Sequence, residues 1–113
     1  MNKYIDEFYQ EEQIRNQSYY HGTSDVFDIS FRIYPPEVTG VIREDFRVGN
    51  RDVVYVTPSY DLAYKYALKA VDKFGGNPIV YEVIPDFNTL AHRIDYEYTT
   101  AYAEVIRKCP TRH

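Results

Sequence analysis

The feature that most constrains the fold is a central helical pattern with an apolar strand pattern on each side. Residues 53–57 and 79–84 are β-branched and aromatic, which is typical of buried strands. Between them, residues 60–73 carry apolar side chains at helical spacing, with Ser59 as a suitable N-cap and a Gly-Gly pair at residues 75–76 as the stop. We therefore predict one central helix between two buried strands.

The flanking sequence adds strands and one more helix. Residues 2–16 combine a rough apolar stripe with charged residues and predict an N-terminal amphipathic helix. Residues 17–21 predict a first strand that ends at His21 and is followed by a turn at residues 22–25, and residues 103–108 alternate as a last strand. Because the helices do not alternate regularly with the strands, the predicted fold class is α+β.

Two stretches have no regular pattern. Residues 30–52 are interrupted by proline and glycine, and an irregular segment of this length is uncommon unless it is functional. One short strand pattern at residues 46–48 brings the expected number of strands to about five. Residues 86–102 are mixed, with an extended pattern at residues 93–95.

Composition and charge narrow the classes of partner. The 113 residues suit one domain over residues 1–113, with the N-terminal helix in residues 1–17 and the core in residues 18–108. A net charge of −4 argues against a general nucleic-acid surface. There is no apolar run of membrane-spanning length and no signal-peptide pattern. The single cysteine fits a cytoplasmic location, and three scattered histidines with one cysteine do not form a metal site.

Three polar residues stand at the edges of predicted strands. His21, Tyr55 and Glu104 offer an imidazole for a hydroxyl group, an aromatic face for a flat ring and a carboxylate for a growing positive charge. Each also has a structural interpretation, as a half-buried histidine, a core tyrosine and a solvated residue of an edge strand. Glu97 is a rival carboxylate, but no convincing apolar strand follows it.

In order and spacing, these residues resemble the His-Tyr-Glu branch of the ADP-ribosyltransferase family, which includes the poly(ADP-ribose) polymerases. His21-Gly22-Thr23 matches the His-Gly-[Ser/Thr] of the family's first core strand, and residues 53–57 match its apolar-apolar-Tyr strand that runs into a helix. Tyr66 lies in that helix eleven positions after Tyr55, as the second family tyrosine does. Residues 102–106 match the family's Tyr-x-Glu strand.

The resemblance covers residues 18–108 and implies a fold, a co-substrate and a set of roles. The implied fold is an ADP-ribosyltransferase-like split β-sheet core with an N-terminal helix and one central helix. The implied co-substrate is NAD+, and the chemistry needs no metal. His21 would hold a ribose hydroxyl of NAD+. Gly22 would bind the nicotinamide carboxamide through its backbone, where a side chain would block the approach.

The remaining implied roles concern the nicotinamide ring and the bond that breaks. Tyr55 and Tyr66 would sandwich the ring. Glu104 would hold a hydroxyl of the nicotinamide ribose and stabilise the oxocarbenium-like transition state. Thr23 completes the first motif of the NAD+ site. Ala63 stands where many members carry a small hydroxyl residue, so one hydrogen bond to the nicotinamide amide would be missing.

The implied activity is mono-ADP-ribosyl transfer from NAD+ to a protein, nucleic-acid or small-molecule acceptor. Tyr102 stands two residues before Glu104, where arginine-modifying members carry Glu, so arginine is not the expected acceptor. A small stand-alone domain suits a toxin, a phage or viral effector, or a drug-modifying enzyme. Two alternatives remain. One is an NAD-dependent RNA 2′-phosphotransferase-like enzyme, which the net charge of −4 disfavours, and the other is a catalytically degenerate module that binds NAD+ or ADP-ribose.

The arginines of residues 30–52 are expected to be solvated, although this segment borders the NAD+ diphosphate in the family and one of them could pair with a phosphate. They are Arg32, Arg43, Arg47 and Arg51.

Overall fold

The computed structural model describes residues 13–27, 29, 31–34 and 53–110. Within these ranges the chain is α+β, with antiparallel sheets, a long central helix and helical residues at 13–16. The elements are β1 (Tyr19–Ser24), β2 (Arg32–Ile33), β3 (Val54–Val56), α1 (Tyr60–Phe74), β4 (Pro78–Pro85), β5 (Ala91–Ile94), β6 (Glu97–Thr100) and β7 (Ala103–Cys109). The predicted fold class is confirmed.

The strands form two antiparallel sheets that meet at one point. The first has the order β1-β4-β7-β2 and the second the order β3-β6-β5. An isolated antiparallel bridge joins β1 to the end of β3. In this bridge the Tyr20 N–H donates to the Thr57 carbonyl at 2.7 Å, and the Thr57 N–H donates to the Tyr20 carbonyl at 3.0 Å.

The central helix begins and ends where its sequence signals predict. The hydroxyl of Ser59 accepts a hydrogen bond from the Leu62 N–H at 3.2 Å, which satisfies one of the free amides of the first turn. At the other end Gly75 has φ +81°, a conformation that favours glycine, and its N–H donates to the Val71 carbonyl at 2.8 Å.

Two apolar clusters hold the elements together. The larger one lies between the two sheets and is lined by Tyr19, Val54, Val56, Tyr81 and Val83, all at most 5% exposed. The smaller one packs α1 on the first sheet through Ala63, Ala67, Val80 and Cys109. Both alanines are fully buried, and such small side chains let the helix lie close to the strand beneath it.

Gly22 is the point of closest approach between β1 and α1. A Cβ atom at this position would lie 1.7 Å from the carbonyl oxygen of Ala63 and 3.0 Å from the backbone nitrogen of Ala67. Both atoms belong to the helix backbone, so no side-chain rotation can relieve the contact. Glycine at position 22 is therefore a requirement of helix packing.

The first strand is longer than predicted. We expected β1 to end at His21, but it continues through Gly22 to Ser24, and the turn lies at residues 25–27. Thr23 and Ser24 extend the pairing with β4, and the buried Ser24 hydroxyl donates to the Gly75 carbonyl. Pairing and capping thus outweigh the usual tendency of glycine to break a strand.

The mixed stretch of residues 86–102 is a turn followed by a hairpin of β5 and β6. The expected extended pattern at residues 93–95 overlaps β5, whereas β6 and the short strand β2 were not anticipated. Several expectations lie outside the described residues, namely the first part of the N-terminal helix, the strand at residues 46–48, and Arg43, Arg47 and Arg51. No helix in the described ranges is long and apolar enough to cross a membrane.

Candidate active site

The two sheets separate immediately beyond the bridge between Tyr20 and Thr57. In a continuous antiparallel ladder the next hydrogen-bonded pair would join Gly22 to Tyr55. Instead, Nδ1 of the His21 ring lies 2.8 Å from the Tyr55 carbonyl oxygen. The imidazole thus takes the acceptor that the Gly22 amide would otherwise use. We call this opening between Gly22 and Tyr55 the split.

Among the described residues, Gly22 has no partner for its backbone N–H and C=O on the side of the split. Hydrogen-bonding directions alternate along an antiparallel strand, and those of Tyr20 point to β3. The N–H and C=O of Gly22 therefore point to β3 as well, and no described residue bonds to them on that side. Gly22 is half-buried, and buried backbone groups are normally paired. A ligand amide, which carries one acceptor and an N–H donor, matches both groups.

The His21 ring is held as a neutral acceptor. Burial lowers its pKa because an imidazolium is poorly solvated there, and this effect outweighs the hydrogen bond to the Tyr55 carbonyl, which raises the pKa. A carbonyl oxygen can only accept, so Nδ1 carries the proton and Nε2 carries a lone pair. The ring can therefore accept a hydrogen bond from a ligand hydroxyl at Nε2.

The neutral histidine predicts a pH dependence of folding. Because the pKa of folded His21 lies below the ordinary 6.5, the unfolded chain binds the proton more readily. This contribution to stability is complete above about pH 6.5 and is lost as the pH falls toward the lowered pKa. We expect the free energy of unfolding in urea to fall between about pH 6.5 and pH 5, and His21→Gln to flatten that fall.

The control for this prediction is His92→Gln. The His92 side chain is exposed, and its Nε2 lies 2.7 Å from the Asp95 carbonyl oxygen. Hydrogen bonds from Asn77 are the first cause of the lowered pKa of Asp25. This carboxyl group changes stability only below its ordinary pKa of 3.8, so it does not contribute to the fall expected for His21. The assignment to His21 is contradicted if the free energy of unfolding still falls with pH in His21→Gln but no longer does so in His92→Gln.

A carboxylate reaches the site from β6. The Tyr66 hydroxyl of α1 donates to Oε1 of Glu97, the first residue of β6, at 2.6 Å. Burial raises the pKa of Tyr66 most, and Glu97 and nearby Tyr55 raise it further. Tyr55 pairs with Thr99 on β6, so Tyr55 and Glu97 share one face of this sheet as diagonal neighbours, roughly 7–8 Å apart.

The expected trio of His21, Tyr55 and Glu104 does not assemble. His21 lies opposite Tyr81 of β4, whereas Glu104 lies on β7, one strand further and opposite Ile84. Two strand spacings and three residues along β4 place the two positions roughly 14 Å apart. The placement of Glu104 at the site is therefore corrected, and Glu97 is the carboxylate that the fold brings to the split.

Glu104 has a different partner at the protein surface. One of its carboxylate oxygens lies 3.0 Å from the Arg32 guanidinium, which belongs to the neighbouring strand β2. Both side chains are substantially exposed, so the ion pair contributes little to stability. Arg32 is thus engaged on this face and not at the split.

The structure also places three further residues that were expected at the NAD+ site. Ala63 is fully buried against Gly22, so it cannot contact a ligand, and its lack of a hydroxyl has a packing explanation. Gly22 has a packing reason to lack a side chain, because a Cβ atom would collide with the backbone of the helix. Thr23 is buried in β1 opposite Ile79.

No protein-family model, curated protein or solved structure matches the chain. Within the described residues, no group of three His, Cys, Asp or Glu side chains is arranged to hold a metal ion. The function must therefore be inferred from the geometry of the split and from the residues around it.

Proposed function

We propose that the protein is a mono-ADP-ribosyltransferase that uses NAD+ as its co-substrate. The proposal depends chiefly on the open backbone pair of Gly22, which lies in a split lined by His21, Tyr55 and Glu97. These are the chemical groups that a nicotinamide riboside requires: an amide partner, a hydroxyl acceptor, an aromatic face and an anion. Two sheets joined at a single bridge also support an ADP-ribosyltransferase-like split core.

The nicotinamide moiety would be recognised by its amide and its ring. The Gly22 N–H would donate to the carboxamide oxygen, and the Gly22 carbonyl would accept from the carboxamide NH2. The ring would stack between Tyr55 and Tyr66. Burial is the main cause of the raised pKa of Tyr66, and Tyr55 is near enough to add to it. Nε2 of His21 would accept a hydrogen bond from a ribose hydroxyl.

Glu97, in place of Glu104, would supply the anion for the reaction. The glycosidic bond between ribose C1′ and the nicotinamide nitrogen breaks, and neutral nicotinamide leaves with the bonding electrons. The ribose becomes oxocarbenium-like, and a carboxylate fixed beside it stabilises the developing positive charge. An acceptor nucleophile then bonds to C1′ and loses its proton. The products are ADP-ribosylated acceptor, nicotinamide and a proton.

The proposed activity is a single transfer of ADP-ribose to a protein, nucleic-acid or small-molecule acceptor in the cytoplasm. Of the two alternatives, the RNA 2′-phosphotransferase requires several arginines around the site. Arg32, which lies in the described part of the arginine-bearing segment, pairs with Glu104 on another face.

The decisive experiment is to measure nicotinamide release from NAD+ by the purified protein, in buffer and with a cell lysate as a source of acceptor. We expect release, and we expect benzamide to inhibit it at least about tenfold more strongly than benzoate. Benzamide offers both an acceptor and a donor to Gly22, whereas benzoate leaves the Gly22 carbonyl unpaired and sets a negative charge beside it. If neither condition yields nicotinamide, the proposed activity is wrong.

A further inference from the structure

We propose that the Tyr66 hydroxyl is a positioning group, which holds one oxygen of Glu97 and so presents the other oxygen to the substrate. The inference rests on the proposed transferase activity and assigns Tyr66 a task beyond stacking on the nicotinamide ring. It concerns the phenol oxygen alone, because one face of the ring remains available to the ligand.

The distance supports a bond between a phenol and an ionised carboxylate. Tyr66 Oη and Glu97 Oε1 are 2.6 Å apart, within the range of charge-assisted O–H···O⁻ bonds. The donor stands on α1 and the acceptor on the first residue of β6, so the bond connects elements 31 residues apart in sequence. No described residue bonds to Oε2 of Glu97, which leaves this oxygen for a ribose hydroxyl.

The Tyr66 ring can carry out both tasks at once. A phenol O–H lies in the plane of its ring, so donation to Glu97 occupies the ring edge and not its faces. The Lys69 ammonium lies 5.8 Å from the ring centroid, within cation–π range, and occupies one face. The opposite face remains for the substrate. Tyr66 would therefore stack one ring face on nicotinamide while its hydroxyl, at the ring edge, bonds to Glu97.

The Tyr66→Phe variant separates these two tasks, because phenylalanine keeps the ring and removes only the hydroxyl. We expect kcat for nicotinamide release to fall about 10- to 100-fold, as for a lost hydrogen bond to a charged group, with KM for NAD+ almost unchanged. Tyr60→Phe is the matched control on the same helix, since the Tyr60 hydroxyl donates to the Pro110 carbonyl at 3.0 Å. This control is expected to leave kcat unchanged.

A second measurement keeps the positioning contact testable without activity. In a double-mutant cycle of unfolding in urea, Tyr66→Phe and Glu97→Gln should be non-additive, because the first removes the bond and the second removes the charge that strengthens it. If wild type releases no nicotinamide, the transferase assignment fails while non-additivity still supports the contact. Additive effects overturn the inference, and so does a Tyr66→Phe variant with raised KM and unchanged kcat.

Discussion

Glu97→Gln is expected to lower the rate of nicotinamide release by about 100-fold or more, whereas Glu104→Gln leaves the rate unchanged. Glutamine keeps the size and most of the shape of the side chain but removes the negative charge. At position 97 that charge stands beside Tyr55 and Tyr66, where the oxocarbenium-like centre would form. At position 104 the charge faces Arg32 at the surface.

The two variants form a matched pair, because both remove one carboxylate from an antiparallel strand of the same chain. The measurement is release of nicotinamide from NAD+ under saturating conditions, with binding of NAD+ followed separately. Retained binding with lost release in Glu97→Gln is the expected pattern. The reverse result, in which Glu104→Gln is inactive and Glu97→Gln is active, would return the catalytic role to Glu104.

Gly22→Ala is expected to lower the free energy of unfolding by at least about 4 kcal/mol, which is exceptional for one methyl group. The added Cβ would lie 1.7 Å from the Ala63 carbonyl oxygen, so β1 and α1 must move apart. That movement disrupts the cluster formed by Ala63, Ala67 and Val80. The measurement is the midpoint of unfolding in urea, followed by far-UV circular dichroism.

Gly75→Ala separates backbone strain from collision. A Cβ at position 75 would meet no atom within 4 Å, but Gly75 has φ +81°, which side chains rarely adopt. This variant is expected to cost about 1–3 kcal/mol through strain alone. Near-native stability of Gly22→Ala, or a smaller loss than in Gly75→Ala, would show that the helix does not lie against Gly22 as described.

The central part of the fold was predictable because each local signal agrees with the packing. The Ser59 cap, the helix that it begins and the apolar strand before it are all present. These elements bury apolar residues at the period of their own backbone, so pattern and structure coincide. The length of β1 was not predictable in this way. Glycine in the sequence suggested a turn, whereas Gly22 lies within the strand because the Ala63 carbonyl of the helix leaves no room for a side chain. Only the tertiary structure brings that carbonyl close.

The strand that carries Glu97 was missed because its buried residues are threonines. Thr99 and Thr100 are 6% and 0% exposed, yet neither contributes to an apolar pattern. The Thr100 hydroxyl donates to the Tyr102 carbonyl at 3.0 Å and accepts from the Asp86 N–H at the same distance. A buried polar residue is tolerated once its hydrogen bonds are made, and hydrophobic periodicity does not register such a strand.

Glu104 was predicted to be the catalytic carboxylate because, unlike Glu97, it lies in a clear apolar strand pattern. Ala103 is buried and Val105 packs against the core, so the expected strand exists as β7. A motif records spacing along the chain, however, and not the order of strands in a sheet. Because β4 lies between β1 and β7, a residue with the right neighbours in sequence is placed away from His21.

The hydrogen bonds at the split also hold the two sheets and the helix together. Among the described residues, β1 and α1 are bonded to β3 and β6 through the Tyr20–Thr57 bridge, the His21 ring and the Tyr66 hydroxyl. The groups assigned to the chemistry thus belong to the seam that holds the two halves of the molecule together. Under the proposed function, activity and cohesion would depend on the same atoms, so a mutation that removes one of these bonds would lower both.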